Sequence, residues 1–291
     1  MKLGISLSGG GVKGAAHIGV LKALEEEKIN IEYISGTSAG SIVAVLYASG
    51  FSTDEIYELF KEYGKKIKYI DFKNVFRFAI GAITRGKFVI NGLNSGKIIE
   101  KLINLNCSKK QIYNIKDIKR PLLIPSVDLH TGEIYIFSSL EKRNVYSDKI
   151  RYINDINIGK AVRCSCSYPG VFSPCKYNET ELIDGGIREN VPWRETKKLG
   201  ADKVLSVVFE SEIREKCCDN IIDVISNSIN ILCHELSNYE LIGADYLLKI
   251  KSGNIKLLDT KKIEELYNIG YKQTKEKIVD IKSRFFIENK K

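Results

Sequence analysis

The sequence predicts an α/β fold, a three-layer α/β/α arrangement around a mostly parallel central sheet. Three observations predict it. Apolar runs of strand length alternate with segments of helical periodicity along most of the chain. The first two runs each end in a glycine-bearing turn that opens a helix, "SLSGGGVKG" and "SGTSAG". No internal repeat, low-complexity linker or proline-rich hinge interrupts the 291 residues, so a single domain over 1–291 is expected.

Taken in order, residues 3–7 form a short apolar run, read as a buried strand. Residues 15–28 follow as a helix, with Ala16, Val20, Leu21 and Leu24 at helical spacing and charge gathered at the end. Residues 31–35 are a second strand. Residues 41–49 (SIVAVLYAS) are apolar on nearly every side, which predicts a buried helix ended by Gly50. Ser52 and Glu55 fit a capping box, followed by Ile56, Leu59, Phe60 and Tyr63 on one helical face. Ile98, Ile99, Leu102 and Ile103 mark a further helix. "PLLIPSV" and "EIYIF" read as strands joined by the turn "DLHTG", and "KVLSVVF" and "DYLLKI" as later strands. A long helix fits residues 219 to 240, and another closes the chain.

Composition limits the function classes. With 44% hydrophobic and 28% charged residues the chain can build a sizeable core. No apolar run has transmembrane length, and the N-terminal run stops at Leu7 with no cleavage signal, so a cytoplasmic protein is expected. The seven cysteines include no C-x-x-C pair, which argues for reduced thiols rather than zinc or a disulfide framework. The net charge of +9 suits an anionic surface, but it is spread along the chain rather than massed in an arm.

The first glycine cluster admits three readings. A P-loop requires G-x-x-x-x-G-K-[ST]. Gly9 and Gly14 keep the spacing, but Ala15 and Ala16 stand where Lys and Ser/Thr should reach phosphate and magnesium, and Lys13 precedes the last glycine. A dinucleotide fingerprint, G-x-G-x-x-G, is met by Gly9, Gly11 and Gly14. Its ribose-binding acid should end the second strand, yet Glu32 lies at that strand's start. The third reading starts from Gly36-Thr37-Ser38-Ala39-Gly40. This is G-x-S-x-G between a strand and a buried helix, the setting of a nucleophile elbow; an ordinary glycine-rich turn has the same composition. On parallel neighbouring strands both loops reach one sheet edge. The first loop could then offer N–H groups to an oxyanion beside Ser38.

A serine nucleophile needs a base. Ser38, Asp184 and His234 have the chain order of an α/β-hydrolase triad, but His234 falls inside a helical stretch. His17 lies one turn into the first helix and reads as a packing residue, and His130 falls in a turn expected to face solvent. The other option is a carboxylate acting alone. Asp184 follows a short apolar run and precedes Gly185 and Gly186, which frees it at a strand end; an Asp-Gly turn is the plain alternative.

Together these residues resemble the patatin-like phospholipase family. Four blocks carry the resemblance: Gly9 to Gly14 (GGGVKG), Gly36 to Gly40 (GTSAG), "AVRCSCSYPGVFSP" and "DGGIRENVP". The similarity runs from about residue 3 to 210, leaving about 211–291 as an extension. The resemblance implies a Ser–Asp dyad with Ser38 as nucleophile and Asp184 as base. It also implies an oxyanion hole from the N–H groups of Gly10, Gly11 and Val12, with Gly9, Lys13, Gly14, Gly36, Gly40, Gly185 and Gly186 supporting the motifs. No metal and no cofactor is implied. The expected partner is a lipid substrate at a membrane or micelle surface, not nucleic acid, with the protein peripheral to the membrane. One departure is Cys164, where the family often carries Ala. Residues 69–90, rich in aromatics and basic residues, are read either as a lid or as ordinary packed structure.

Overall fold

The computed structural model describes residues 1–67, 92–141, 149–210, 221–253, 255 and 258–286. The segment 69–90, read above either as a lid or as ordinary packed structure, lies outside the described residues. Among those described, β1 (Leu3–Leu7) leads into α1 (Gly14–Glu26), and β2 (Tyr33–Gly36) into α2 (Ala39–Ala48), α3 (Thr53–Lys66) and α4 (Lys97–Ser108). Next come β3 (Leu122–Asp128), β4 (Ile134–Ser138), β5 (Ile150–Ile153), α5 (Ile158–Ser165), β6 (Cys175–Tyr177) and β7 (Thr180–Asp184). The chain closes with α6 (Trp193–Leu199), β8 (Lys203–Phe209), α7 (Ile221–Glu240), β9 (Tyr246–Ile250) and α8 (Ile263–Phe286).

The strands make one mixed, mostly parallel sheet in the order β5-β4-β3-β2-β1-β8-β9, with β7 and β6 attached beside β3. β1 lies between β2 and β8 and is parallel to both. Its residues are fully buried, as a short apolar run in a covered parallel sheet requires. Alternation sends Leu3, Ile5 and Leu7 with Ile34, Leu205 and Val207 into the main core, which includes the apolar residues of α1 and α2. On the other face Tyr33, Val204 and Val208 pack with Val191 and Trp193 at the start of α6. Helices therefore cover both faces.

Every residue of α2 is buried, as its all-round apolar pattern predicts. The Ser52 capping box forms, with Glu55 N–H donating to Ser52 Oγ and Ser52 N–H to Glu55. β3 and β4 form the expected antiparallel hairpin. The last elements join the same sheet and core: β9 pairs with β8, and α8 crosses α1 so closely that a Cβ on Gly270 would lie 2.0 Å from the Ala16 carbonyl oxygen. No described helix is long and apolar enough to cross a membrane.

Candidate active site

The sheet's irregularity at β3 creates the site. β2 pairs with β3 only at Ile34↔Leu122 and Ser35↔Leu123. Beyond that point the same edge of β3 is taken by β7, which arrives antiparallel with Ser126↔Asp184 and Asp128↔Leu182. β2 runs toward this gap from one side and β7 from the other. Their carboxyl ends, carrying Ser38 and Asp184, therefore converge on it. In the parallel pair of β1 and β2, Leu7 lies opposite Gly36, which brings the glycine loop to the same edge.

Ser38 occupies the turn between β2 and α2 with φ 52° and ψ −123°, a conformation few non-glycine residues adopt. Close packing of the turn explains its two glycines. A Cβ on Gly36 would lie 2.3 Å from the Gly40 carbonyl oxygen, and one on Gly40 would lie 2.4 Å from that of Leu7. The flanks of Ser38 are pinned from elsewhere in the chain. Its N–H donates to Ser165 Oγ at 3.0 Å, Thr37 Oγ1 donates to the Glu189 carbonyl at 3.0 Å, and Ser41 Oγ donates to the Ser38 carbonyl at 2.6 Å.

The glycine loop continues from β1 into a single 3₁₀ turn, Gly11–Lys13, ahead of α1. Gly9 lies against Ser38, and its N–H donates to Asn190 Oδ1 at 2.9 Å. The Gly10 Cα packs on the Phe209 ring, and Gly14 packs against Ala39 of α2. Lys13 N–H donates to the Gly10 carbonyl. The N–H groups of Gly10, Gly11 and Val12 donate to no acceptor among the described residues. The Lys13 ammonium stands 6.0 Å from the Phe209 ring centre.

Asp184 is 2% exposed. Its Oδ1 accepts the Gly186 N–H at 2.9 Å, its own N–H donates to the Ser167 carbonyl, and Oδ2 has no well-formed hydrogen bond among the described residues. Gly185 packs on the Pro125 carbonyl of β3. Burial pushes the Asp184 carboxyl up to about 6, against the smaller opposing effects of the Ser38 hydroxyl and the Gly186 N–H. A carboxylate of this kind is more basic than a solvated one and has a hydroxyl as its neighbour, the arrangement general-base catalysis uses.

None of the three histidines shares a described hydrogen bond or ion pair with Ser38 or Asp184. His17 is buried in α1, with Nε2 2.8 Å from the Ser8 carbonyl, and burial lowers its pKa to about 4. The neutral ring donates from Nε2 and lies 4.7 Å from Phe209, so it backs the glycine loop as a packing residue. His130 is exposed and lies 3.6 Å from Glu181; His234 lies 3.5 Å from Glu235 on α7.

The profile described as "Patatin-like phospholipase" matches residues 5–197 of this sequence. The chain belongs to the patatin-like phospholipase family. Among its relatives is lysophospholipase NTE1 of Meyerozyma guilliermondii, 29% identical over 215 residues, a stretch covering 70% of this chain and 12% of that protein. The chain therefore spans about an eighth of NTE1. The uncharacterized protein YqhO of Bacillus subtilis is 30% identical over 226 residues, covering 74% of this chain and 73% of YqhO. In fold, the chain is similar to VipD of Legionella pneumophila, with a TM-score of 0.52, 14% identity, and coverage of 96% of this chain and 67% of VipD.

For a patatin-like phospholipase chain, several residues that hold the site are not among the candidates the sequence singles out, although Ser165, Ser167 and Asn190 lie inside the family blocks. The family block around Cys164 supplies the bridge between the two halves. Ser165 takes the Ser38 N–H and Ser167 takes the Asp184 N–H. The buried Arg163 fastens that bridge by donating to Ser95 and Ser173 carbonyls and to Ser167 Oγ. Cys164 itself is buried, with its sulfur 3.1 Å from that of Cys175 and its carbonyl accepting the Ser167 N–H. Asn190, Ser237 and Glu240 also reach the site, the last two from the segment beyond the family match.

Proposed function

We propose that this chain is a lipid acyl hydrolase of the phospholipase A or lysophospholipase type, working through a serine acyl-enzyme. The observation that carries the reading is the convergence of three features. Ser38 is held at positive φ, Asp184 is buried beside it with raised basicity, and a neighbouring glycine loop has N–H groups without acceptors among the described residues.

In this mechanism Asp184 takes the proton from Ser38 as Ser38 Oγ attacks the ester carbonyl carbon. The oxyanion that forms is met by the N–H groups of Gly10, Gly11 and Val12, where each donor contributes about 3 kcal/mol in the transition state. Collapse expels the alcohol or lysolipid, which takes the proton from Asp184. Water then attacks the acyl-enzyme as Asp184 accepts its proton, and collapse breaks the ester to Ser38 Oγ, which takes that proton from Asp184 as the fatty acid leaves. We read the chain as one folding unit, since β9 and α8 complete the sheet and core that the motif-bearing part begins.

The substrate is met at a membrane or micelle surface, with the enzyme peripheral to it in the cytoplasm. Supporting this, Ile231, Leu232, Tyr239 and Ile242 are exposed along and just past α7, whose opposite face meets the site through Ser237 and Glu240. The test is hydrolysis of a panel of phospholipids, lysophospholipids and glycerides by wild type and Ser38→Ala. Release of fatty acid by wild type alone supports the reading. Equal release by both proteins, or none by either, overturns it.

A further inference from the structure

The segment Glu189–Asn190 touches both halves of the site at once. The Glu189 carbonyl accepts the Thr37 hydroxyl, next to Ser38, and Asn190 Oδ1 accepts the Gly9 N–H at 2.9 Å, next to the N–H groups of Gly10, Gly11 and Val12. A Cβ on Gly186 would lie 3.4 Å from Asn190 Oδ1, so the Asp184 turn borders the same amide. We propose that Asn190 is a positioning residue for acyl transfer. Its side-chain amide holds the Gly9 peptide and so sets the direction of the N–H groups of Gly10, Gly11 and Val12, while Ser237 fixes which way round that amide sits. The inference rests on the hydrolase reading above.

Donor accounting fixes the orientation of the amide. The Ser237 hydroxyl gives its one proton to the Cys233 carbonyl at 2.7 Å. Its oxygen is then left to accept, and the Asn190 Nδ2 group lies 3.2 Å away. With nitrogen committed to Ser237, the amide oxygen must face Gly9, whose N–H can only donate. A flipped amide would set two donors against each other at Gly9, leaving a partly buried N–H unpaired. The main chain of Asn190 is held as firmly. The N–H groups of Asn190 and Val191 donate to the two carboxyl oxygens of Glu240 at 3.1 and 3.0 Å, and Trp193 Nε1 donates to the Glu240 carbonyl at 2.8 Å. The end of α7 thus grips residues 190–193, and the grip passes through one amide to the glycine loop. A helix outside the family match therefore takes part in shaping the oxyanion site.

The test is steady-state hydrolysis of a short-chain soluble ester by the full chain. Rates are expressed per site titrated with a fluorophosphonate, and amide deuterium exchange is followed at residues 9–12. Asn190→Ala is expected to lower kcat about 10- to 100-fold, less than deleting an oxyanion donor outright, with KM within about threefold. Ser237→Ala leaves the amide free to turn and lowers kcat about 3- to 10-fold. Exchange at residues 9–12 rises in both variants. A merely structural role would lower the titratable fraction and leave kcat per titrated site untouched; that result for either variant overturns the proposal. Should Asn190→Ala fail to fold, the Ser237→Ala kcat and exchange decide alone. A wild type that neither hydrolyses esters nor reacts with the fluorophosphonate overturns the hydrolase reading itself.

Discussion

The acid limb of the pH–rate profile tests the role of Asp184. The base must be ionised to accept the Ser38 proton, so kcat/KM follows its ionisation in the free enzyme. Burial raises this carboxyl to about 6, and the Ser38 hydroxyl and the Gly186 N–H hold it down incompletely. Three groups that feel its charge stay neutral through the window: burial pushes Cys166 up to about 12, Cys233 up to about 11, and the Tyr168 phenol above its ordinary range. Burial also pushes Glu240, which holds the Asn190 and Val191 N–H groups, up to about 8, so it ionises within the assayed range, and the comparison with Asp184→Asn is what assigns the lower limb to Asp184. Activity should be half-maximal near pH 6 and fall roughly tenfold per unit below it, leaving about a tenth at pH 5. A solvated aspartate of ordinary pKa would leave about nine-tenths there. The assay is kcat/KM for a soluble ester from pH 4.5 to 8.5, with folding followed by circular dichroism. A profile flat down to pH 5 in folded protein would refute the reasoning, as would an unchanged limb in Asp184→Asn.

Three further outcomes are expected. Because its folded pKa is raised, Asp184 imposes a stability cost that is absent below about pH 4, grows through pH 4 to 6 and is complete above it. Asp184→Asn should thus stabilise the fold at pH 7 by up to about 3 kcal/mol and by little at pH 4; equal denaturation midpoints for the two proteins at pH 7 would count against this. Gly40→Ala places a methyl 2.4 Å from the Leu7 carbonyl and should cost about 1–3 kcal/mol in urea unfolding together with most activity; a neutral substitution would show the turn to be looser than described. Leu232→Ser, at a side chain 70% exposed, should leave soluble-ester turnover and stability unchanged but lower hydrolysis of vesicle lipid several-fold; an unchanged ratio of the two rates would remove α7 from the lipid surface.

Much of the fold could be read ahead of the structure because its central elements are locally consistent. β1, α2 and β8 are continuous apolar runs, and the Ser52 cap and the β3–β4 turn carry their own chemistry. β5 and β6 could not be read: one carries Arg151 in four residues, the other is three residues long, and both depend on pairing with distant strands. The short helices α5 and α6 escaped for a similar reason, with eight and seven residues that give periodicity too little length. For the site, Ser38 and the glycine loop announce themselves because tight turns demand glycine at fixed spacing. Asp184 was visible as a strand-end carboxylate. Its meeting with Ser38 was not, since that depends on β7 replacing β2 along the edge of β3. Ser165, Ser167 and Asn190 lie inside the family blocks, but the partners they take, up to 181 positions away, are encoded by no local pattern, and Ser237 lies outside those blocks.

The most direct measurement is intact-mass and peptide mapping of the chain after reaction with a fluorophosphonate, with labelling rates for three variants. Wild type should gain one adduct, on Ser38. Ser38→Ala should gain none, Asp184→Asn should react at least about a thousandfold more slowly, and His234→Ala should match wild type. An adduct on another residue, or labelling that survives in Asp184→Asn and disappears in folded His234→Ala, would contradict the account.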